Sequence, residues 1–358
     1  MRVNKSKYKD GLIIIISENW RLIEPITGRP KCNDSKVAVS GRLLHLQIVS
    51  ELITPSNLLS FFTIYKMSTN SVLRPILAEN FPNLLEILKE KLPDSILAYH
   101  WTATHLHWAQ NIPSLKVKIL CLNGDWRRGA MVGLTDGLAE SNKILGMIYA
   151  PEDECESLNR CLKATELIEW ERVKCFVNNL DRFLPTLTEI LKQKGFKHSG
   201  EFHDSCLLLY LPAEEAANIP LKALPEKVRV GSLDNSHLDI VCENWRHYHP
   251  DYRPVVQKMI QLNATVGVFV TNEQNEEELA SMVLHTDYGG FGILQTVPKF
   301  RRKGFASIAL AHIVRALGLK GFMPFGTVLA WNEDSVNLLK KFGFKVLEAS
   351  TWLELEKE

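Results

Sequence analysis

Cysteine is scarce and badly spaced for chemistry. The 358 residues hold seven, at Cys32, Cys121, Cys155, Cys161, Cys175, Cys206 and Cys242, and no CxxC pair occurs. The usual zinc knuckle and dithiol redox centre are thereby excluded; no metal is expected, and the thiols fit a reducing compartment. Net charge is almost missing too: 42 Lys and Arg stand against 41 Asp and Glu, a formal +1. A dedicated nucleic-acid binder would carry a basic face and a higher pI, so no nucleic-acid partner is expected, although a local basic pocket stays open. No apolar run suits a membrane. Leu12 to Ile16, which follows Arg2, Lys5, Lys7 and Lys9, is shorter than the ~7–15 residues of a signal-peptide core and the ~20 of a membrane span. Asp10, Glu18 and Glu24 weaken a mitochondrial presequence. The expectation is an intracellular protein, cytoplasmic or mitochondrial, in which the sequons at Asn4, Asn33 and Asn263 are chance matches.

A chain of this length predicts two domains. Residues 1–66 show no clean period and read as an N-terminal extension, disordered or appended. From Met67 the pattern sharpens. Leu84, Leu85, Leu88 and Leu92 recur at helical spacing before Pro93, and Val117 to Leu122 and Leu145 to Tyr149 read as strands. Residues 214–227 are polar and Pro-bearing, a linker between 67–213 and 228–358. Beyond it, Ala264 to Val270, Leu279 to His285 and Ile293 to Val297 read as strands, with Asp287-Tyr288-Gly289-Gly290 as the turn between the last two. Leu191-Lys-Gln-Lys-Gly195-Phe196-Lys197 recurs as Leu339-Lys-Lys-Phe-Gly343-Phe344-Lys345. Each copy follows a predicted helix, so the glycine reads as a helix C-cap and the pair suggests duplication.

Chemistry concentrates where the strand ending at Val297 runs through Pro298 into Lys299-Phe300-Arg301-Arg302-Lys303-Gly304-Phe305-Ala306 and a helix. A helix N-terminus offers unpaired N–H groups and the positive end of its dipole. Gly304 and Ala306 let a diphosphate approach the backbone, and Arg301, Arg302 and Lys303 add charge at the same point. A basic solvated loop with a glycine turn is the plainer alternative. A Walker P-loop is excluded because no Gly-Lys-Ser/Thr follows. A Rossmann turn is excluded because Gly289, Gly290 and Gly292 precede the strand's end.

Arg301-x-x-Gly304-x-Ala306 after a Val-Pro strand resembles the [Gln/Arg]-x-x-Gly-x-[Gly/Ala] motif of the GCN5-related N-acetyltransferase (GNAT) superfamily. Thr327 to Ala330 followed by Asn332-Glu-Asp-Ser and Phe342-Gly-Phe344 resembles its second signature. Asn244-Trp245 and Thr296-Val-Pro-Lys-Phe-Arg301 are most similar to the glycine N-acyltransferase group. The resemblance implies an α/β (α+β) fold of two tandem GNAT-like domains, each a mixed twisted sheet flanked by helices, the N-terminal one degenerate. It also implies acetyl-CoA or another acyl-CoA as cosubstrate, lying between two splayed strands. Backbone amides near Thr296 and Val297 would then hold the thioester carbonyl, the segment Arg301, Arg302, Lys303, Gly304, Phe305, Ala306 and Ser307 would grip the diphosphate, and Asn332 would touch the cofactor. Trp245, His247 and His249, with Arg246, would meet a small amine acceptor such as glycine. Two departures stand out. The tyrosine that many relatives use as general acid is Leu339 here, and the glutamate base of the glycine acyltransferases is Gly290. His285 and Asp287 are the nearest substitutes for the base, although each could serve only to end a strand or open a turn. A catalytically weak acyl-CoA-binding sensor or partner module, and a protein N-acetyltransferase, are the competing readings.

Overall fold

The computed structural model describes residues 6–7, 13–14, 37–39, 42–44, 72–138, 142–198 and 205–357. The chain divides into two compact units, Met1–Asn70 and Ser71–Glu358. The first is described only as two antiparallel strand pairs, Ser6–Lys7 with Ile13–Ile14 and Val37–Val39 with Arg42–Leu44. The rest of the expected extension, and its boundary at Met67, lie outside the described residues.

The second unit opens with β1 (Leu73–Pro75), α1 (Phe81–Glu90) and α2 (Ile96–Asn111). The leucine spacing becomes one buried face of α1, carrying Phe81, Leu84 and Leu88. Next come β2 (Lys116–Leu122), β3 (Met131–Asp136), β4 (Ile144–Tyr149), α3 (Cys155–Ala164), β5 (Val173–Leu180), α4 (Leu184–Gln193), β6 (Phe196–His198) and β7 (Cys206–Tyr210). A short helix α5 (Ala213–Ala217) takes up the start of the expected linker. The later part is β8 (Val228–Gly231), α6 (Leu238–Asn244), α7 (Arg253–Leu262), β9 (Thr265–Thr271), β10 (Glu277–His285), β11 (Phe291–Thr296), α8 (Phe305–Leu319), β12 (Phe325–Leu329), α9 (Glu333–Lys341) and β13 (Lys345–Lys357).

Two sheets organise these strands. One is β8-β9-β10-β11; the other runs β12-β7-β13-β5-β4-β3-β2-β1, with β6 also on β13. The repeat shows its purpose here. Gly195 and Gly343 end α4 and α9 at φ 73° and 88°, a conformation only glycine adopts cheaply. Phe196 and Phe344 then enter the core. α8 covers the smaller sheet, burying Phe305, Ala309, Leu310, Ile313, Val314 and Leu317 with Val266, Val268, Ala280 and Phe291. Gly318 admits α5 against it, since a Cβ there would lie 2.3 Å from the Ala217 nitrogen.

Candidate active site

β11 ends one sheet and β12 ends the other, with no ladder between them. Their first residues nevertheless touch: a Cβ on Gly326 would lie 2.9 Å from Phe291 Cζ, and one on Gly290 would lie 2.9 Å from the Phe325 carbonyl oxygen. Burial falls away along both strands, so that Leu294, Gln295, Thr296, Thr327, Val328 and Leu329 are half-buried. The two strands therefore form a gap closed at the Phe291/Phe325 end and open at the Thr296/Leu329 end.

A bulge shapes the β11 wall. Leu284 faces Gly292 and Met282 faces Gln295, so two residues of β11 stand against Val283 alone. Ile293, β-branched, takes φ 54° within it. That conformation is a true outlier for such a residue and concentrates at working sites. After the bulge the alternation resumes. The Val297 amide donates to the Ala280 carbonyl at 2.9 Å, so the intervening Thr296 points its own N–H away from β10 and into the gap. Of the two amides expected to hold a thioester carbonyl, Val297's is thus occupied and Thr296's faces the gap. The Thr296 carbonyl accepts from Arg301 Nε at 3.2 Å, and its hydroxyl lies 3.0 Å from Ser281 Oγ.

At the open end, Pro298–Phe300 makes one tight turn before α8. Arg302 and Gly304 take φ 61° and 83°, which curls the backbone so that successive amides face outward. The amides of Ser307 and Ile308 bond the Gly304 carbonyl, whereas those from Arg302 to Ala306 find no acceptor among the described residues. A Cβ on Gly304 would meet nothing within 4 Å. Lys299 is held by Glu278, while Arg301, Arg302 and Lys303 are exposed and have no acidic partner among the described residues. Phe305 anchors the loop to the core. Asn332 caps α9 by accepting the Ser335 amide at 3.2 Å. A dense patch of free donors, left uncovered by side chains, can hold a diphosphate.

The expected bases fare differently. His285 is 8% exposed, its Nε2 bonds the Gly289 carbonyl at 2.9 Å, and burial lowers its pKa to about 4. It is a neutral strut of the turn, and too weak a base for an ammonium. Asp287 is 2% exposed. One carboxylate oxygen accepts from Tyr252 Oη at 2.6 Å, the other is buried without a partner, and desolvation raises the carboxyl to about 6. Tyr252 in turn packs against Trp245 with ring centroids 5.8 Å apart. His249 is exposed and accepts the Asp251 amide at 3.3 Å, a cap for its own turn. His247 is half-buried, and Arg246 reaches the β12–α9 loop, its guanidinium carbon 5.6 Å from the centre of the Trp331 ring. Sequence reasoning missed Tyr252, 35 residues from its carboxylate, together with the bulge and Tyr288.

The earlier half repeats the plan and blocks it. β4 and β5 pair in parallel only from Ile144↔Val173 to Gly146↔Phe176, then part. Arg182 lies across that opening, bonding the Ala150 carbonyl at 3.1 Å and Asp94 at 3.2 Å, while Tyr149 donates to Asp94 at 2.7 Å. The loop to α3 carries Glu152, Asp153 and Glu154, where the later half carries arginines. Residues 265–353, from β9 into β13, match the family model described as FR47-like protein, and 72–190 match one described as a domain of unknown function (DUF5645). The mixed α/β architecture, twisted sheets flanked by helices, is the expected one.

Among solved structures with which the chain superposes is a Drosophila protein, at TM-score 0.68 and 21% identity over 80% of this chain and 99% of the other. A tandem GNAT protein from the clavulanic acid biosynthesis pathway follows at 0.46 and 9%, over 80% and 98%. A GCN5-related N-acetyltransferase-like protein from Streptococcus suis gives 0.40 and 14%, over 78% and 99%. No curated protein matches the chain. No described helix is long and apolar enough to cross a membrane. With one loop basic and the other acidic and latched, calorimetry with CoA is expected to find no more than one site per chain; two equivalent sites would refute the blockage.

Proposed function

We propose that this chain transfers an acetyl or other short acyl group from acyl-CoA to a small amine such as glycine. The observation that carries the reading is the β11–β12 gap, whose open end meets the bare amides at the start of α8 and Arg301, Arg302 and Lys303, which have no acidic partner among the described residues. The diphosphate sits on that loop and the pantetheine arm enters the gap. The neutral amine attacks the thioester carbon, charge gathers on its oxygen at the Thr296 amide, and the C–S bond breaks to release the thiolate. Leu339, buried on α9, supplies no proton to that thiolate, so a slow enzyme is expected. Arg246, with no carboxylate partner among the described residues, suits an acceptor bearing a carboxylate, with Trp245 and His247 beside it.

In this reading Asp287 is the base by virtue of its raised pKa; buried at the opposite end of β11 from Thr296, it receives the ammonium proton by relay through Tyr252. The same burial costs stability. An acid whose folded pKa is raised from 3.8 to about 6 loses stability as pH climbs through that window, on the order of 3 kcal/mol by pH 7. Asp287→Asn is therefore expected to raise the melting temperature at pH 7.5, to lower turnover by ~10²–10⁴, and to leave CoA affinity alone. Undiminished turnover would remove Asp287 from the chemistry. The sealing of both His285 and Asp287 favours, as a second reading, an acyl-CoA-binding module with little activity. Thiol release from acetyl-CoA and benzoyl-CoA across a panel of amino acids, beside calorimetric CoA binding, separates the two. Acceptor-dependent release supports the enzyme, binding without release supports the module, and no binding refutes both.

A further inference from the structure

Two loops meet at the open end of the gap, and they meet through a stacked cation. After β12 the chain turns at once into α9. The Ala330 amide donates to the Ser205 carbonyl at 3.0 Å, the Asn332 amide to Leu329 at 2.8 Å and the Glu333 amide to Trp331 at 3.0 Å. Trp331 thus rides a turn whose backbone is tied on both sides. Its ring is nevertheless 52% exposed, although tryptophan is highly buried on average. The second loop follows α6. Its Tyr248 amide closes a turn on the Trp245 carbonyl at 3.0 Å, and the Trp245 ring packs against Tyr248 and Tyr252 with centroids 6.5 and 5.8 Å apart. Arg246 stands at the tip of that turn, exposed, and lays its guanidinium over Trp331, 5.6 Å from the ring centre. Glu333 and Asp334 follow in the first turn of α9, yet neither pairs with Arg246. A guanidinium held by an aromatic face gives up none of its N–H donors, so its planar fork stays available to a carboxylate.

We propose that Trp331 holds Arg246 at the mouth of the gap as a carboxylate anchor, which narrows the acceptors to α-amino acids. The proposal rests on the acyl-transfer reading above. Both groups of such an acceptor then find their partners at one end of the gap. The amine meets the thioester carbon at Thr296, the last residue of β11, and the carboxylate meets Arg246 beside the loop that leaves β12 at Leu329. An unstacked arginine would lose more rotamer freedom on binding the same group; the ring removes part of that loss beforehand, which makes Trp331 a positioning residue. A peptide N-terminus or a lysine side chain of a protein brings an amine without the neighbouring carboxylate and gains nothing from the anchor, so protein acceptors are disfavoured.

CoA and N-acetylglycine are the two products of acetyl transfer to glycine, so calorimetry of the CoA-saturated full chain with N-acetylglycine and N-acetylglycinamide reads the anchor without requiring turnover. Wild type is expected to bind the acid at least about tenfold more tightly than the amide, as a charge-assisted pair allows. Arg246→Gln should abolish that preference. Trp331→Leu should cut it by about two- to fivefold, the share of an exposed cation–π contact, and Trp331→Phe, which keeps a ring, should restore most of it. Trp331 is exposed, so neither substitution opens the core. With glycine as acceptor, the Trp331→Leu loss should fall on KM rather than kcat. Equal binding of acid and amide by wild type, binding of neither, or an acid preference untouched in Trp331→Leu overturns the proposal while CoA binding still stands. Thiol release as fast with ethylamine as with glycine also overturns it and leaves acyl transfer intact. A folded chain that binds no CoA overturns the acyl-CoA reading and the anchor with it.

Discussion

Gly304→Glu is expected to weaken CoA binding by on the order of 1,000-fold while the protein stays folded. Two effects separate cleanly at this position. Sterically the site is open, with nothing within 4 Å of a built Cβ, so the native cost is the left-handed backbone at φ 83°, about 1–2 kcal/mol for a non-glycine residue. Electrostatically the new carboxylate would stand at the mouth of the α8 amides, where a diphosphate is to sit. Two like charges some 4–5 Å apart repel by ~4 kcal/mol at an effective dielectric of about 20, nearly three decades in affinity. Gly304→Ala carries the strain without the charge, and most of its affinity should remain. Calorimetry with both variants, checked by melting temperature, decides the matter. Normal CoA affinity in Gly304→Glu would remove the loop from the binding site.

The protein should also lose most of its stability between pH 6 and pH 4. His100, His105 and His285 are buried, and burial holds their pKa values at about 3, about 4 and about 4. A histidine whose folded pKa lies below the free value of 6.5 contributes stability that is present above that value and is lost as pH falls towards the folded one. The unfolded chain takes up the proton first. Each such group removes about 1.4 kcal/mol per pH unit in that window. Asp287, raised to about 6, works the other way as pH falls and offsets one of the three. The net loss of roughly 3 kcal/mol per unit is large against the ~5–15 kcal/mol that holds a typical domain together. Urea midpoints measured from pH 7.5 to 4.5 would show the decline, and a flat profile would mean that these rings are hydrated.

How much was legible in advance follows from how local each feature is. The anion loop is a contiguous run in which every part, the strand exit, the charges, the glycine and the helix start, lies within ten residues. The paired Lys-Gly-Phe and Phe-Gly-Phe endings were legible for the same reason. The chemistry deeper in the gap was not. Tyr252 meets Asp287 only because α7 packs over the β10–β11 turn, and no spacing announces that. His285 looked like a base because its ordinary pKa suits one; the Gly289 carbonyl and full burial decide otherwise. Ile293 reads as an ordinary strand residue, since β-branching favours strands, and its left-handed φ is imposed by the ladder. The Val297 amide reads in the sequence as a substrate contact, and its partner on β10, the Ala280 carbonyl, takes it instead.

The placement of β7 and β13 carries a consequence for how this chain is made. β7 is synthesised long before either strand it lies between, and β5 waits for β13, the last of the described strands. At ~5–20 residues per second, roughly 10–35 s pass between the emergence of Leu180 and that of Lys357. Until β13 arrives, β5 and, once it is made, β7 each present an unpaired edge, the kind of surface that recruits other strands. The sheet is therefore sealed only after β13 has emerged. A message truncated before Lys345 yields a nascent chain whose bare edges make it a natural client for chaperones.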